Sequence, residues 1–334
     1  MKLADMDLAL LNLKEIFKDM WKKLGKIFDP TEHSLANNCS EFAQSPQALV
    51  FNDFIRIYFS TRTKDKTGKY LSYIAFVDFT KDFKKILNIS NESVIELGKL
   101  GCFDEHGIFP MNVLKHKDKI LAYTNGWSRR VWVSVETGIG YAISHDQGNT
   151  FEKFGNGPVL SSSLKEPILV GDPFVIIING IFHMWYIFGL WWKIYAEGEV
   201  PERTYKIGHA TSIDGINWEK EEKTIIADKL GENECQALPT VIKIKNKYHM
   251  YFCYREAIGF RKDKNKSYRL GYAHSTDLIN WVRDDDKVGI DVSENSWDSD
   301  MLCYPHVFSC DEKIYLLYNG NEFGRFGFGL AVLT

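Results

Sequence analysis

Short apolar runs and alternating aromatic segments recur along the chain at a nearly constant period. Five of the nine prolines mark it: Pro46, Pro110, Pro173, Pro239 and Pro305, separated by 64, 63, 66 and 66 residues. Each opens an apolar run, such as Pro173-Phe174-Val175-Ile176-Ile177 or Pro239-Thr240-Val241-Ile242. A polar turn follows, then an alternating aromatic strand ending near Tyr58-Phe59, Ala122-Tyr123, Trp185-Tyr186, Tyr251-Phe252 or Leu317-Tyr318. Proline has no N–H to give a sheet, so it suits the first residues of a strand. A third element completes the unit. Ile207-Gly208-His209-Ala210-Thr211-Ser212-Ile213-Asp214-Gly215-Ile216-Asn217-Trp218 matches the stretch from Leu270 to Trp281, and Ile139 to Phe151 is a third copy. Each predicts a strand, an Asp- or Gly-bearing turn and an outer strand opening on an aromatic residue. One repeat is therefore four antiparallel strands. Five repeats predict an all-β fold, a five-bladed β-propeller with a short N-terminal helix.

The two ends of the chain suggest how the ring closes. The fifth repeat stops at Gly329-Leu330-Ala331-Val332-Leu333, after its third strand. Leu24-Gly25-Lys26-Ile27-Phe28 precedes the first repeat and can supply the missing outer strand, which removes an exposed sheet edge. Before it, Leu10, Leu13, Phe17, Met20, Trp21 and Leu24 recur at three- and four-residue steps, predicting an amphipathic helix over residues 1–23 packed outside a propeller of residues 24–334. The polar face of that helix mixes Asp5, Asp7, Glu15 and Asp19 with lysines, unlike the basic stripe of a membrane-surface helix.

Composition narrows the function classes. Apolar residues make up 45% of the chain and aromatic residues 14%, enough for a large core. A net charge of −3 gives no general attraction to nucleic acid. No apolar stretch is long enough to span a membrane, and the N-terminus lacks the order of a signal peptide, which points to a cytoplasmic protein. The six cysteines form no Cys-x-x-Cys pair and are expected to be reduced and buried. The nine histidines show no metal-ligand spacing, so neither a metal nor a cofactor is expected.

Blade geometry places the candidate chemistry. The start of each first strand and the connection between second and third strands lie on one face of a propeller. The segments leading to the five prolines carry Glu41, Asp104 and Glu105, Glu166 and Asp172, Glu234, and Asp298 and Asp300. Converging carboxylates raise one another's pKa, letting one act as an acid while another stays ionised, and glycoside cleavage needs that arrangement. Asp172, Glu234, Asp104 and Asp300 are the candidate catalytic residues. Eight of the ten arginines, Arg62, Arg129, Arg130, Arg203, Arg255, Arg261, Arg269 and Arg325, fall in or beside second-to-third loops. Guanidinium forks suit carboxylate and phosphate ligands. Loop aromatics such as Trp127 offer flat area for sugar rings. Candidate substrate-binding residues on this face are Gln44, Arg62, Trp127, Arg255, Arg269, Tyr304, His306, Asn319 and Asn321.

The blade pattern with Ser212-Ile213-Asp214-Gly215-Ile216-Asn217-Trp218, the Gly171-Asp172-Pro173 triplet and the Glu234-Cys235 pair resemble the five-bladed propeller superfamily of glycoside hydrolase families 32, 43, 62, 68 and 130, over residues 24–334. The resemblance implies a carbohydrate-active enzyme with Asp172 stabilising the transition state and Glu234 as the acid. It also implies a first-blade aspartate, but that position reads Gln44-Ser45-Pro46. Phe103-Asp104-Glu105-His106-Gly107-Ile108-Phe109-Pro110 resembles second-blade segments of the phosphorylase-like and family 43 branches, which makes Asp104 a candidate replacement. The expected function is a glycosidase-like enzyme that hydrolyses or transfers a glycosidic or sugar-phosphate bond in an anionic sugar or sugar nucleotide. The expected partner is a small-molecule or oligosaccharide substrate. A non-catalytic carbohydrate-binding propeller and a protein-interaction scaffold are the alternatives.

Overall fold

A computed structural model describes residues 20–334. The described residues open with β1 (Trp21–Phe28) and then build five antiparallel four-stranded blades. Blade 1 is β2–β5 (Glu41–Val50, Phe54–Lys64, Tyr70–Thr80, Ile86–Ile89), and blade 2 is β6–β9 (Gly107–His116, Lys119–Arg129, Val135–Ser144, Glu152–Lys153). Blade 3 is β10–β13 (Val170–Ile178, Ile181–Lys193, Glu202–Ser212, Glu219–Lys220), and blade 4 is β14–β17 (Glu234–Ile244, Lys247–Glu256, Arg269–Ser275, Val282–Arg283). Blade 5 is β18–β20 (Cys303–Cys310, Lys313–Asn319, Phe328–Leu333) with β1 as its outer strand. A single parallel pair, Ser72 with Gly107, joins the sheets of blades 1 and 2.

Ring closure uses both ends of the described chain. β1 runs antiparallel to β20, from Trp21 opposite Leu333 to Phe28 opposite Phe328. The closing strand thus begins three residues before the expected Leu24 and takes in Trp21–Lys23, which the helical periodicity had assigned to the N-terminal helix. The rest of that expected helix, residues 1–19, lies outside the described residues. Trp21 is buried against Tyr251 of blade 4, and that packing favours the strand there over helix periodicity. Gly327 sits at the closing turn with φ +104°, and a Cβ there would overlap the Phe28 carbonyl, so the junction requires glycine.

Tyrosines and turns bind blade to blade. The Tyr58 hydroxyl of blade 1 donates to the Gly148 carbonyl of blade 2 at 2.7 Å, and Tyr123 of blade 2 donates to Gly215 of blade 3 at 2.9 Å. The acceptors lie in the repeated turns, which explains the Ser-x-Asp pattern. Ser212 Oγ donates to Asp214 and accepts the Gly215 N–H, while Asp214 accepts the N–H groups of Ile216 and Asn217, both at 2.8 Å. Ser275 and Asp277 repeat this geometry. These aspartates are structural: satisfying local donors is what a compact turn demands. All six cysteines are free thiols, five of them buried.

Candidate functional site

The five marker prolines have a second consequence. The residue before each one sits in or beside a β-bulge of the first strand. Ser45, Asp172, Leu238 and Tyr304 hold φ of 52°, 51°, 48° and 57°, and Phe109 joins Pro110 through a cis peptide. Left-handed backbone costs a non-glycine residue of order 1 kcal/mol or more and survives only where its surroundings fix it. A bulge re-aims a side chain. Three of the five, Phe109, Asp172 and Tyr304, line one cavity of about 510 Å³ at the mouth of the channel.

Four arginines enter that cavity. Arg62 lies near the end of β3, Arg203 near the start of β12, Arg255 near the end of β15, and Arg261 follows in the loop. Arg261 pairs with Glu202 at 2.6 Å. Among the described residues no carboxylate pairs with Arg62, Arg203 or Arg255. Arg255 is 2% exposed. Its guanidinium lies 3.5 Å from the Phe260 ring centre and donates to Tyr205 Oη at 3.0 Å and to the Glu256 carbonyl at 2.7 Å, while its Nε is buried without a partner. Tyr205 and Tyr268 share a 2.8 Å hydroxyl contact beneath it. Arg62 lies over the Phe42 ring at 4.8 Å, and its Nε is likewise buried and unpartnered. Burial pulls its pKa below the usual guanidinium range, with only the Tyr304 and Tyr70 hydroxyls opposing. Buried cations are ordinarily paired. A cluster that lacks internal counterions suits a ligand that brings its own negative charge.

Asp172 is the buried carboxylate of the cavity, 5% exposed. Burial pushes its pKa up to about 7, against the opposing effects of the Leu238 N–H, the Arg203 charge and the Asn125 side chain. Those two hydrogen bonds are long, 3.3 Å each. Glu322 also reaches the cavity, but it is exposed and paired with Arg325 at 3.3 Å. Near neutral pH, Asp172 can therefore give or take a proton beside the guanidinium cluster.

The other expected acids are placed elsewhere, for a common reason. Four of them, Asp104, Glu166, Glu234 and Asp298, are buried and tied to a basic residue on the outer strand of their own blade. Asp104 meets Lys153 of β9, and Glu166 meets Lys220 of β13 at 2.7 Å. Glu234 meets Arg283 of β17 at 2.6 Å, and Asp298 meets Lys23 of β1 at 2.6 Å. Tyr186 and Tyr318 add hydroxyl bonds to Glu166 and Asp298. These are latches that fasten each blade's lead-in segment across its sheet. Glu234 is held further by Gln236 and by the N–H groups of Lys229 and Leu230. Four blades thus carry a latch where the sequence suggested convergent acids, and Asp104 and Glu234 do not line the cavity. Asp300 is exposed outside it, and its backbone is gripped by Arg269 and Asn321.

Of the expected binding residues, Gln44, Arg62, Trp127, Arg255 and Tyr304 line the cavity. Arg269 and Asn321 instead support the Asp300 turn. Asn319 accepts the Ser45 N–H and donates to the Ala43 and Gly327 carbonyls, so it braces the first lead-in. His306 lies within the inner strand, stacked on Phe308, and burial pushes its pKa down to about 3. The candidate set lacked Asn125, Tyr205 and Tyr268. Their positions carry no local sequence signal; pairing of β7, β12 and β16 alone brings them to the mouth. Arg203 was visible among the loop arginines. Among the described residues no group of three or more His, Cys, Asp or Glu is placed to hold a metal, and no helix is long and apolar enough to cross a membrane.

No protein-family model matches the chain. It is 36% identical over 315 residues to the uncharacterized protein Rv1502 of Mycobacterium tuberculosis, covering 94% of this chain and 99% of the relative. It is also 31% identical over 137 residues to a beta-1,2-mannobiose phosphorylase of Thermoanaerobacter, covering 39% and 43% of the two chains. Among solved structures, a glycoside hydrolase superposes with a TM-score of 0.71 at 15% identity, covering 99% of this chain and 95% of that one. The beta-1,2-mannobiose phosphorylase of Listeria innocua superposes with a TM-score of 0.65 at 12% identity, covering 94% and 96%. The chain therefore belongs to the family of the mycobacterial protein Rv1502, with the fold of the five-bladed propeller superfamily of glycosidases and mannoside phosphorylases.

Proposed function

We propose that the protein is a carbohydrate-active enzyme that cleaves or transfers a glycosidic or sugar-phosphate bond, with a ligand that carries phosphate or carboxylate. The observation that carries this is one cavity holding a single buried carboxylate beside three arginines that form no ion pair among the described residues. Asp172, with its pKa near neutrality, is the proton donor to the leaving oxygen, as general acids are tuned to be. Arg62, Arg203 and Arg255 seat the anion. Trp127, Phe109 and Tyr304 offer ring faces to the sugar. Among the described residues no second buried carboxylate lines the cavity, so the attacking oxygen comes from the bound anion or from water. The phosphorylases among the similar proteins support a site of this kind.

The test is a screen of phosphorylated sugars, uronic acids and their neutral counterparts, with and without inorganic phosphate, read by product chromatography and by thermal shift. Asp172→Asn is expected to slow turnover by at least about 100-fold, as loss of a positioned acid does, while an anionic sugar still raises the melting temperature. Full turnover by Asp172→Asn rejects the assignment. A non-catalytic binding propeller is favoured by one observation, Gln44 at the first-blade position. It is identified by anion-dependent stabilisation without product from the unsubstituted protein.

A further inference from the structure

Beside the arginine cavity runs a second cavity of about 530 Å³. Its walls are the rings of Trp132 and Trp192 with Val133, Ile168 and Leu169, and its polar edge carries the Arg130–Glu136 ion pair and Ser162. Val135 and Leu169 line both cavities, so the two are immediate neighbours. Arg203 stands at the divide: it lines the first cavity, and its guanidinium lies 5.3 Å from the Trp192 ring of the second. Trp132 is 89% exposed and its neighbour Val131 92%, both on the loop between β7 and β8 at the mouth face. Large apolar side chains set beside a site, with a polar rim, mark a binding groove.

We infer that this groove is a second sugar-binding subsite, taking neutral units of an oligosaccharide whose reacting unit occupies the arginine cavity. The inference rests on the carbohydrate function proposed above and adds direction to it. The charged end of the ligand lies over Arg62 and Arg255, and the chain leaves past Arg203 toward the indoles. Indole faces match the apolar faces of pyranose rings, and Ser162, Arg130 and Glu136 supply donors and acceptors for hydroxyls at the rim. The groove's own walls offer no buried unpaired charge, which makes neutral units the better fit there. Its shared wall with the first cavity, and Arg203 reaching both, make a longer sugar the occupant rather than an unrelated apolar partner.

The test compares short and long members of defined series: beta-1,2-linked mannobiose and mannopentaose, and matching arabino- and xylo-oligosaccharide pairs. Binding is followed by calorimetry and by the indole N–H resonances of Trp132 and Trp192. In at least one series the longer member is expected to bind about five- to tenfold more tightly, as one added stacking contact allows, with both indole resonances shifted. Trp132→Ala, an exposed substitution that leaves the fold alone, removes that gain without changing the short member's affinity. Trp192→Ala does the same in a correctly folded sample. Affinity independent of length, or a gain that survives Trp132→Ala and Trp192→Ala, overturns the subsite while leaving the carbohydrate function in place. While the carbohydrate function is decided separately by the screen of anionic sugars, failure of every series to bind, with inorganic phosphate present as well as absent, overturns the subsite. Indole shifts with decyl maltoside micelles but not with the sugars also overturn it, in favour of an apolar occupant.

Discussion

Arg283 and Arg255 both belong to blade 4 and both are buried, yet they serve different ends. Arg283, on the outer strand, is sandwiched between Glu234 at 2.6 Å and Asp285 at 3.0 Å. Arg255, at the mouth, has aromatic rings, a tyrosine hydroxyl and a carbonyl around it, but no carboxylate. The first charge is neutralised within the protein and holds a lead-in segment to its blade. The second is left for a ligand to neutralise. The carboxylates divide the same way: Asp104, Glu166, Glu234 and Asp298 are each matched to an outer-strand base, whereas Asp172 lines the cavity in no ion pair among the described residues, with the Arg203 charge acting on it from nearby. Where a counterion is supplied by the fold, a buried charge is structural; where none is supplied, it is available for chemistry.

The largest expected effect separates the two regions. Glu234→Ala leaves Arg283 with a buried, half-compensated charge and is expected to cost about 3–5 kcal/mol of stability. Chemical denaturation measures it, and anion binding by the remaining folded protein should be unchanged. Retained stability with lost binding would move Glu234 from the latch to the site. Lys23→Ala breaks the corresponding latch in blade 5. Lys23 is partly exposed, so its loss is expected to cost less than that of Glu234. That loss should appear first as hydrogen exchange in β1 and β20, where the ring closes.

A pH effect sharpens the contrast from the other side. The folded-state pKa of Asp172 lies near 7, above its value of about 3.8 when exposed. The folded protein therefore holds the proton more tightly than the unfolded chain does. Its contribution to stability is complete below about pH 4 and is lost as pH rises through about 7. Asp172→Asn should flatten this part of the stability–pH curve. The smallest effect belongs to the rim. Arg261 is exposed and paired with Glu202, so Arg261→Ala is expected to change stability by at most about 1 kcal/mol and anion affinity by less than Arg255→Ala does.

The fold was largely legible because its signals are local and repeated. Pro46, Pro110, Pro173, Pro239 and Pro305 each sit at a first-strand bulge, and the incomplete fifth repeat pointed to β1. The site was legible only in part. Residues preceding the prolines reach the mouth, so Asp172 and Tyr304 could be picked out. The arginine count pointed to Arg62 and Arg255, which line the cavity. The acids could not be sorted from sequence, because a carboxylate in a lead-in segment looks the same whether it faces the axis or an outer strand. The outer-strand partners Lys153, Lys220, Arg283 and Lys23 lie 49, 54, 49 and 275 residues away from their acids. Only the pairing of fourth strands to their blades brings them together. Asn125, Tyr205 and Tyr268 were hidden for the same reason.

The central claim is that unpaired arginines at the channel mouth bind a ligand's negative charge. Its most direct test is the affinity of an anionic sugar against that of its neutral counterpart, measured by calorimetry on the unsubstituted protein, Arg255→Lys and Arg255→Ala. The unsubstituted protein should prefer the anionic form. Arg255→Lys should keep only part of that preference, because it keeps the charge but loses the planar fork, and Arg255→Ala should lose most of it while binding the neutral sugar as before. Equal affinity for both sugars, or an equal loss of both in Arg255→Ala, would contradict the claim and make Arg255 a packing residue of the Phe260–Tyr268 cluster.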